Sequence, residues 1–200
     1  MIGFAVCGSY CTHSRALAAA KELTAQGYEL LPILSENVQH TDTRFGSAEA
    51  FQEELEKICG RTALLTIAQT EPLGPKIALE ALVIAPCTGN TIAKIANGIT
   101  DTPVTMAAKA HLRSGRPLLL ALASNDAMSA NLGNLAKMLC RKHVYFVPMV
   151  QDDPVAKPDS LVAEFTMLPQ ALRLALCAHQ MRPLFLTAPE SLKISLLIDA

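Results

Sequence analysis

Short apolar runs and longer amphipathic stretches alternate along this chain, separated by glycine, proline and small polar residues. Residues 2–7 are an apolar run of strand length, and Gly8-Ser9-Tyr10-Cys11-Thr12 reads as the turn after it. The spacing predicts a helix over about residues 13–26 that stops at Gly27, then a second strand over 29–34 that ends at Ser35. Residues 47–59 carry Phe51, Leu55 and Ile58 at the helical interval, with Gly60 as the stop. Residues 63–68 read as a weaker strand or helix edge before the turn Glu71-Pro72-Leu73-Gly74-Pro75. Ala81-Leu82-Val83-Ile84 is a buried strand that Pro86 ends, because proline brings no N–H to a sheet ladder. A helix with Ile92, Ile95 and Ala96 on one face follows. Further helices are expected at 103–113, stopped at Gly115, at 128–142, and at about 161–180, where Pro169 kinks or restarts the last one. Strands at 117–123 and 144–147 separate them, and 150–160 is a long loop rich in proline and acid.

This alternation predicts an α/β architecture, a doubly wound parallel sheet with helices on both faces. Ligands of such sheets lie beyond the C-terminal strand ends, near the switch point. The loops at 8–12, 35–46, 86–91 and 124–134 all follow strands and therefore gather on that edge. Residues 1–186 read as a single domain, and 187–200 as a C-terminal tail outside the alternating pattern.

Composition narrows the class. Half of the residues are hydrophobic, yet only 4% are aromatic and tryptophan is absent, so the core must be aliphatic. A formal net charge of −1 gives no general attraction to nucleic acid or to a membrane surface. No run reaches the roughly 18 apolar residues of a membrane span, and the first residues, lacking a basic leader, read as a strand rather than a signal peptide. The six cysteines (7, 11, 59, 87, 140 and 177) form no CxxC pair and no ligand spacing with the five histidines. That points to reduced thiols in a cytoplasmic protein and to no metal site.

The candidate chemistry sits on the loops. Thr88, Gly89, Asn90 and Thr91 place small polar groups at a strand end and a helix start, an arrangement that suits a phosphate or carboxylate and equally an ordinary βα turn. Gly8, Ser9, Tyr10 and Thr12 offer hydroxyls and N–H groups at the first helix, without the GxxxxGK[ST] or GxGxxG pattern. Ser124, Asn125 and Asp126 either cap the next helix or contact a heterocyclic ring. Arg44, beyond the second strand, can hold a carboxylate bidentately or simply lie on the surface. Lys109 is a further candidate cation, and His40 and His111 are candidate proton-transfer groups.

The Gly8-Ser9 loop, Ser35, and Ala85-Pro86-Cys87-Thr88-Gly89-Asn90-Thr91 with Ile92-Ala93-Lys94-Ile95-Ala96-Asn97-Gly98 together resemble a family of flavin-binding proteins. These are the relatives of phosphopantothenoylcysteine decarboxylase, the peptidyl-cysteine decarboxylases and the flavin prenyltransferases. The resemblance implies a Rossmann-like, flavodoxin-type fold, assembled as trimers or multiples of trimers. It also implies FMN, with its phosphate and ribityl chain on the turns that carry Gly8, Ser9, Tyr10, Thr12, Ser35, Pro86, Thr88, Gly89, Asn90 and Thr91, and with Ser124 and Asn125 near by. Other segments are similar to one subunit of a two-component oxidoreductase within that family. They include Thr41-Asp42-Thr43-Arg44-Phe45-Gly46, Met106-Ala107-Ala108-Lys109-Ala110, Ser124-Asn125-Asp126-Ala127 and Tyr145-Phe146-Val147-Pro148 with Gln151-Asp152-Asp153-Pro154. This narrower likeness implies help in aromatising a dihydropyridine dicarboxylate during sporulation, beside a separate protein that carries NADP or NAD. Arg44 and Lys109 are then candidates for the substrate carboxylates. An independent FMN-dependent decarboxylase or prenyltransferase, and a non-catalytic assembly protein without flavin, are the other two classes. Two departures bear on them: Pro72 stands where the decarboxylases carry a catalytic histidine, and their Pro-x-Met-Asn segment has no counterpart.

Overall fold

The strand β1 (Ile2–Val6) is buried along its whole length and lies between β2 (Leu30–Leu34) and β3 (Ala81–Cys87), parallel to both. β4 (Leu118–Ser124), also wholly buried, continues the sheet beside β3. Strands covered on both faces need no alternation of polar residues, which is why Ala81 to Cys87 and Leu118 to Ser124 are almost unbroken apolar runs. The far edge of β4 is shared. β5 (Val144–Phe146) runs parallel to its first half, β6 (Met149–Val150) pairs antiparallel with β7 (Leu161–Ala163), and β7 pairs antiparallel with Ala123 and Ser124. The computed structural model describes residues 1–74 and 76–187, and within them the sheet has seven strands.

The helices are α1 (His13–Ala25), the short α2 (Glu36–His40), α3 (Ala48–Cys59), the short α4 (Ile67–Thr70), α5 (Gly89–Ala96), α6 (Pro103–Leu112), α7 (Leu132–Leu139) and α8 (Leu168–Leu176). α1, α3 and α8 bury Leu23, Leu55 and Leu172 on one face of the sheet, against Phe4, Val6 and Val83. α5, α6 and α7 bury Ile92, Val104 and Leu135 on the other, against Ala5, Ile84 and Leu120. Alternate residues of β1 thus serve opposite cores, as the period of two in a strand requires. Helix ends follow local rules: Ser47 Oγ accepts the Ala50 N–H at 3.2 Å to start α3, and Gly60, at φ +63°, ends it.

The doubly wound α/β expectation holds, with the sheet mixed rather than wholly parallel. Three local expectations change, at Pro86 and at the starts of the last two helices. Pro86 does not end β3, which runs on to Cys87; the ladder with β4 shifts register between Ile84 and Cys87, so the missing N–H falls where pairing is already interrupted. Residues 161–163 form β7 instead of the start of the last helix, because the end of β4 offers them an open edge; α8 starts at Leu168 with Pro169 in its first turn, where a missing N–H costs nothing. α7 starts at Leu132 rather than 128, since the carbonyl of Asp126 takes the N–H groups of Ser129 and Asn131 in a turn. Residues 63–68 contribute a single bridge, Leu64 to Ile33, and then the start of α4. Residues 188–200 lie outside the described residues, and with them all but the first residue of the C-terminal tail. No described helix is long and apolar enough to cross a membrane.

Candidate functional site

The strand order β2-β1-β3-β4 reverses direction of travel between β1 and β3, and a cavity of about 840 Å³ opens beyond the C-terminal ends of those strands. That volume lies within the roughly 300–1,000 Å³ usual for small-molecule and cofactor sites. β1 delivers Gly8 and Ser9 to the cavity, and a 3-10 turn, Tyr10–Thr12, leads into α1. This turn is rigid: Thr12 gives both its N–H (2.9 Å) and its hydroxyl (2.8 Å) to the Ser9 carbonyl, and Tyr10 donates to the Asn37 carbonyl at 3.0 Å. His13 Nε2 donates to the Cys7 carbonyl at 2.9 Å, with its ring 4.3 Å from that of Phe51. Burial pulls the His13 imidazole below its ordinary range, against the opposing effect of that carbonyl. His13 therefore braces the turn as a neutral donor.

From β3, Thr88 caps α5 by accepting the Thr91 N–H at 3.3 Å, and the Thr91 hydroxyl reaches across to Cys7 Sγ at 3.2 Å. Burial pushes the Cys7 thiol up to about 11 and Cys87 well above its ordinary value, so neither is a nucleophile at neutral pH. Cys11 is exposed at the cavity, and Cys140 and Cys177 are exposed away from it. From β4 come Ser124, Asn125 and Asp126, with the Ser124 hydroxyl donating to the Asp126 carboxylate. The 151–160 segment closes another side. There Asp152 accepts from Ser160 Oγ at 2.6 Å and from Lys157 Nζ at 3.3 Å. Burial raises the Asp152 pKa, but those two bonds and the lysine charge outweigh it and hold the carboxyl below its usual range.

Of the residues singled out in the sequence, Gly8, Ser9, Tyr10, Thr12, Ser35, Thr88, Gly89, Asn90, Thr91, Ser124 and Asn125 all line this one cavity. Pro86 does not: it is buried within β3, short of the strand end. Arg44 does not either. Its guanidinium lies over the Phe45 ring at 4.8 Å, and it is Phe45 that faces the cavity. Lys109 is exposed on α6, away from the site, and His111 is buried with Nε2 on the Pro117 carbonyl at 2.9 Å. The cations that do line the cavity are Arg15, Lys94 and Lys157. The signal for Arg15 in the sequence is its place three residues beyond Thr12, one helical turn along the same face, which the loop motifs do not include. Val162 and Ser160 reach the site only through β7, which the sequence pattern does not announce. Among the described residues no three His, Cys, Asp or Glu side chains converge as metal ligands.

One atom bears directly on what the cavity takes. Ser35 Oγ is buried and makes no hydrogen bond, although Ser35 stands at the N-cap of α2 and lines the cavity. A buried hydroxyl without a partner costs about 1–3 kcal/mol, a cost that a ligand oxygen in the cavity removes. The donor set around it, hydroxyls and helix-start N–H groups over a bare Gly8, fits a phosphate and polyol chain such as those of FMN.

The chain matches the family described as Flavoprotein over residues 1–165. It is 43% identical over 183 residues to the B subunit of dipicolinate synthase from Bacillus subtilis (strain 168), covering 92% of each chain. The crystal structure of the dipicolinate synthase B subunit from Bacillus halodurans superposes with a TM-score of 0.86 at 37% identity, covering 94% of this chain and 96% of that one. The FMN-dependent cysteine decarboxylase SpaF has a TM-score of 0.62 at 20% identity, covering 87% of this chain and 95% of its own, and so shares the fold.

Proposed function

This chain belongs to the flavoprotein family, and on that premise we propose that it works as the FMN-holding B subunit of a dipicolinate synthase. In this reading it acts with the A subunit of dipicolinate synthase, which carries NADP or NAD, to oxidise dihydrodipicolinate to pyridine-2,6-dicarboxylate during sporulation. The observation that carries the reading is the cavity at the β1/β3 switch, with the unpartnered Ser35 hydroxyl on its wall. Similarity to a protein of that name over nine-tenths of both chains supports the choice of substrate.

When bound, FMN supplies a two-electron acceptor. The chain's own groups do the holding. Ser9, Ser35 and the N–H groups of Gly89 and Asn90, ahead of the Thr91 N–H that Thr88 caps, suit the phosphate end. Ser124 and Asn125, at the end of β4, suit the ring. Oxidation removes two electrons and two protons from the dihydro ring and is drawn forward by aromaticity, so the protein's task is to orient that ring and to neutralise two carboxylates. Lys94 is already paired with Asp101 at 3.0 Å and Lys157 with Asp152. Arg15 makes no ion pair among the described residues and stacks over Phe165 at 5.6 Å, so its fork is available to a carboxylate. Arg15 replaces Arg44 and Lys109 in that role.

The test is the absorbance of the purified chain at about 450 nm, where a bound flavin ring absorbs, read beside its native mass. Oxidation of dihydrodipicolinate is then assayed with and without the A subunit. A flavin band and a rate that needs both proteins are expected. A colourless chain with no affinity for FMN and no effect on its partner overturns the reading. Release of carbon dioxide from a C-terminal cysteine peptide by the chain alone would favour a decarboxylase, which Pro72 argues against.

A further inference from the structure

Behind the cavity wall a file of side chains runs from Ser124 to the surface. The Ser124 hydroxyl donates to one oxygen of Asp126, and Asn131 Nδ2 donates to the other at 2.9 Å. Asn134 Nδ2 donates to Asn131 Oδ1 at 3.0 Å, Asn97 Nδ2 to Asn134 Oδ1 at 3.0 Å, and Lys137 Nζ to Asn97 Oδ1 at 2.9 Å. A carboxamide can be placed either way round, but here the two ends remove the choice: a carboxylate only accepts and an ammonium only donates. The three amides are therefore threaded head to tail, each with its donor toward Asp126. Asn97 Nδ2 also donates to the Ala93 carbonyl at 2.8 Å, which anchors the file to α5.

The consequence falls on Ser124. Its single hydroxyl proton is committed to Asp126, so toward the cavity its oxygen presents lone pairs alone. Ser124 and Asn131 are both 8% exposed, so bulk water does little to relax the arrangement. We infer that Ser124, oriented by Asp126, is a fixed hydrogen-bond acceptor that selects a ring N–H of the bound ligand. That N–H is either the imide of a flavin or the ring nitrogen of a reduced pyridine dicarboxylate. A freely turning hydroxyl accepts or donates as required; this one repels a carbonyl or an unprotonated ring nitrogen placed against it. On the substrate side it favours a dihydro ring in the tautomer or conjugate acid that bears N–H over an aromatic product that has none. Asp126 is a positioning residue, because it acts through Ser124. The inference rests on the cofactor and substrate reading above and assigns one contact within it.

The experiment is a calorimetric titration of the full chain with two matched pairs of ligands. One pair is FMN and its N3-methyl derivative; the other is 4-oxo-1,4-dihydropyridine-2,6-dicarboxylate, planar with a ring N–H, and 4-oxopyran-2,6-dicarboxylate, which has a ring oxygen in that place. The wild type is expected to prefer the N–H member of one pair by about tenfold, the scale of leaving a buried polar group unmatched. The pair that shows the preference identifies the ligand. In Ser124→Ala the preference collapses, and in Asp126→Asn, where the hydroxyl proton is free to swing into the cavity, it falls as well. A wild type with no preference in either pair, or a preference that both variants retain, overturns the inference. Failure of both flavins to bind overturns the cofactor reading, and the dicarboxylate pair then decides the inference by itself.

Discussion

Gly89 stands where the end of β3 passes the Ser124–Asp126–Asn131 cluster. A Cβ there would lie 2.5 Å from Ser124 Oγ and 2.7 Å from Asn131 Nδ2 and Asp126 Oδ1. None of these atoms can withdraw without breaking the bonds that join them. Gly89→Ala is therefore expected to cost about 1–3 kcal/mol, the range for forcing extra volume into a packed site, and to weaken FMN binding with it. Urea unfolding checks the first point, and an unchanged midpoint contradicts it. His111 is the other residue under constraint. Burial holds its imidazole below the ordinary range; the Pro117 carbonyl opposes this, and the Arg116 charge adds to it. In the unfolded chain a histidine takes up its proton near pH 6.5, whereas folded His111 resists until lower pH. Its contribution to stability is thus complete above about pH 6.5 and is lost as pH falls toward the folded value, with a slope of at most about 1.4 kcal/mol per pH unit. Denaturation at pH 7.5 and pH 5 should show a smaller loss for His111→Gln than for the wild type. His13, shifted the same way by burial, contributes a second such slope.

At the scale of elements, α5 is the hinge between sheet and site. Thr88 caps it, Thr91 ties it to β1, and Asn97 ties its far end to α7. Thr88→Ala is expected to lose about 1 kcal/mol, as N-cap truncations do, whereas Thr88→Ser keeps the oxygen and most of the stability. Equal stability of the two variants in guanidinium would count against the cap. The elements legible in the sequence are the apolar strands β1 to β5 and the helices with an apolar face or a glycine stop, α1, α3, α5 and α6. β6 and β7 are two and three residues long, too short for a period of two to register, and their existence depends on an open stretch of β4 that no local pattern announces. Pro86 misleads for a related reason: a proline in a strand is tolerated at a register shift, and the shift is a property of the β3–β4 pair. The residues around the cavity are legible because small polar residues after apolar runs are rare and local. The position of Arg44 is not, because the turn from Thr43 to Gly46, closed by a pair of backbone hydrogen bonds, sets Phe45 rather than Arg44 on the cavity side.

For the whole molecule, the two cores lie on opposite faces of the same β1, β3 and β4, so neither can melt without exposing the back of the other. Far-ultraviolet dichroism and tyrosine fluorescence should report one coincident unfolding transition. Separated transitions would show that one face comes apart first. The distribution of the thiols has a use of its own. Cys11 is exposed at the mouth of the cavity, Cys140 and Cys177 are exposed elsewhere, and Cys7 and Cys87 are buried. With Cys59 half-buried and its thiol pushed up by burial, one chain thus carries a footprinting label at the site, two reference labels outside it and three positions that react little. Iodoacetamide followed by peptide mass analysis should find Cys11 shielded by whatever fills the cavity while Cys140 and Cys177 keep their rates. Occupancy can then be followed for ligands that have no colour.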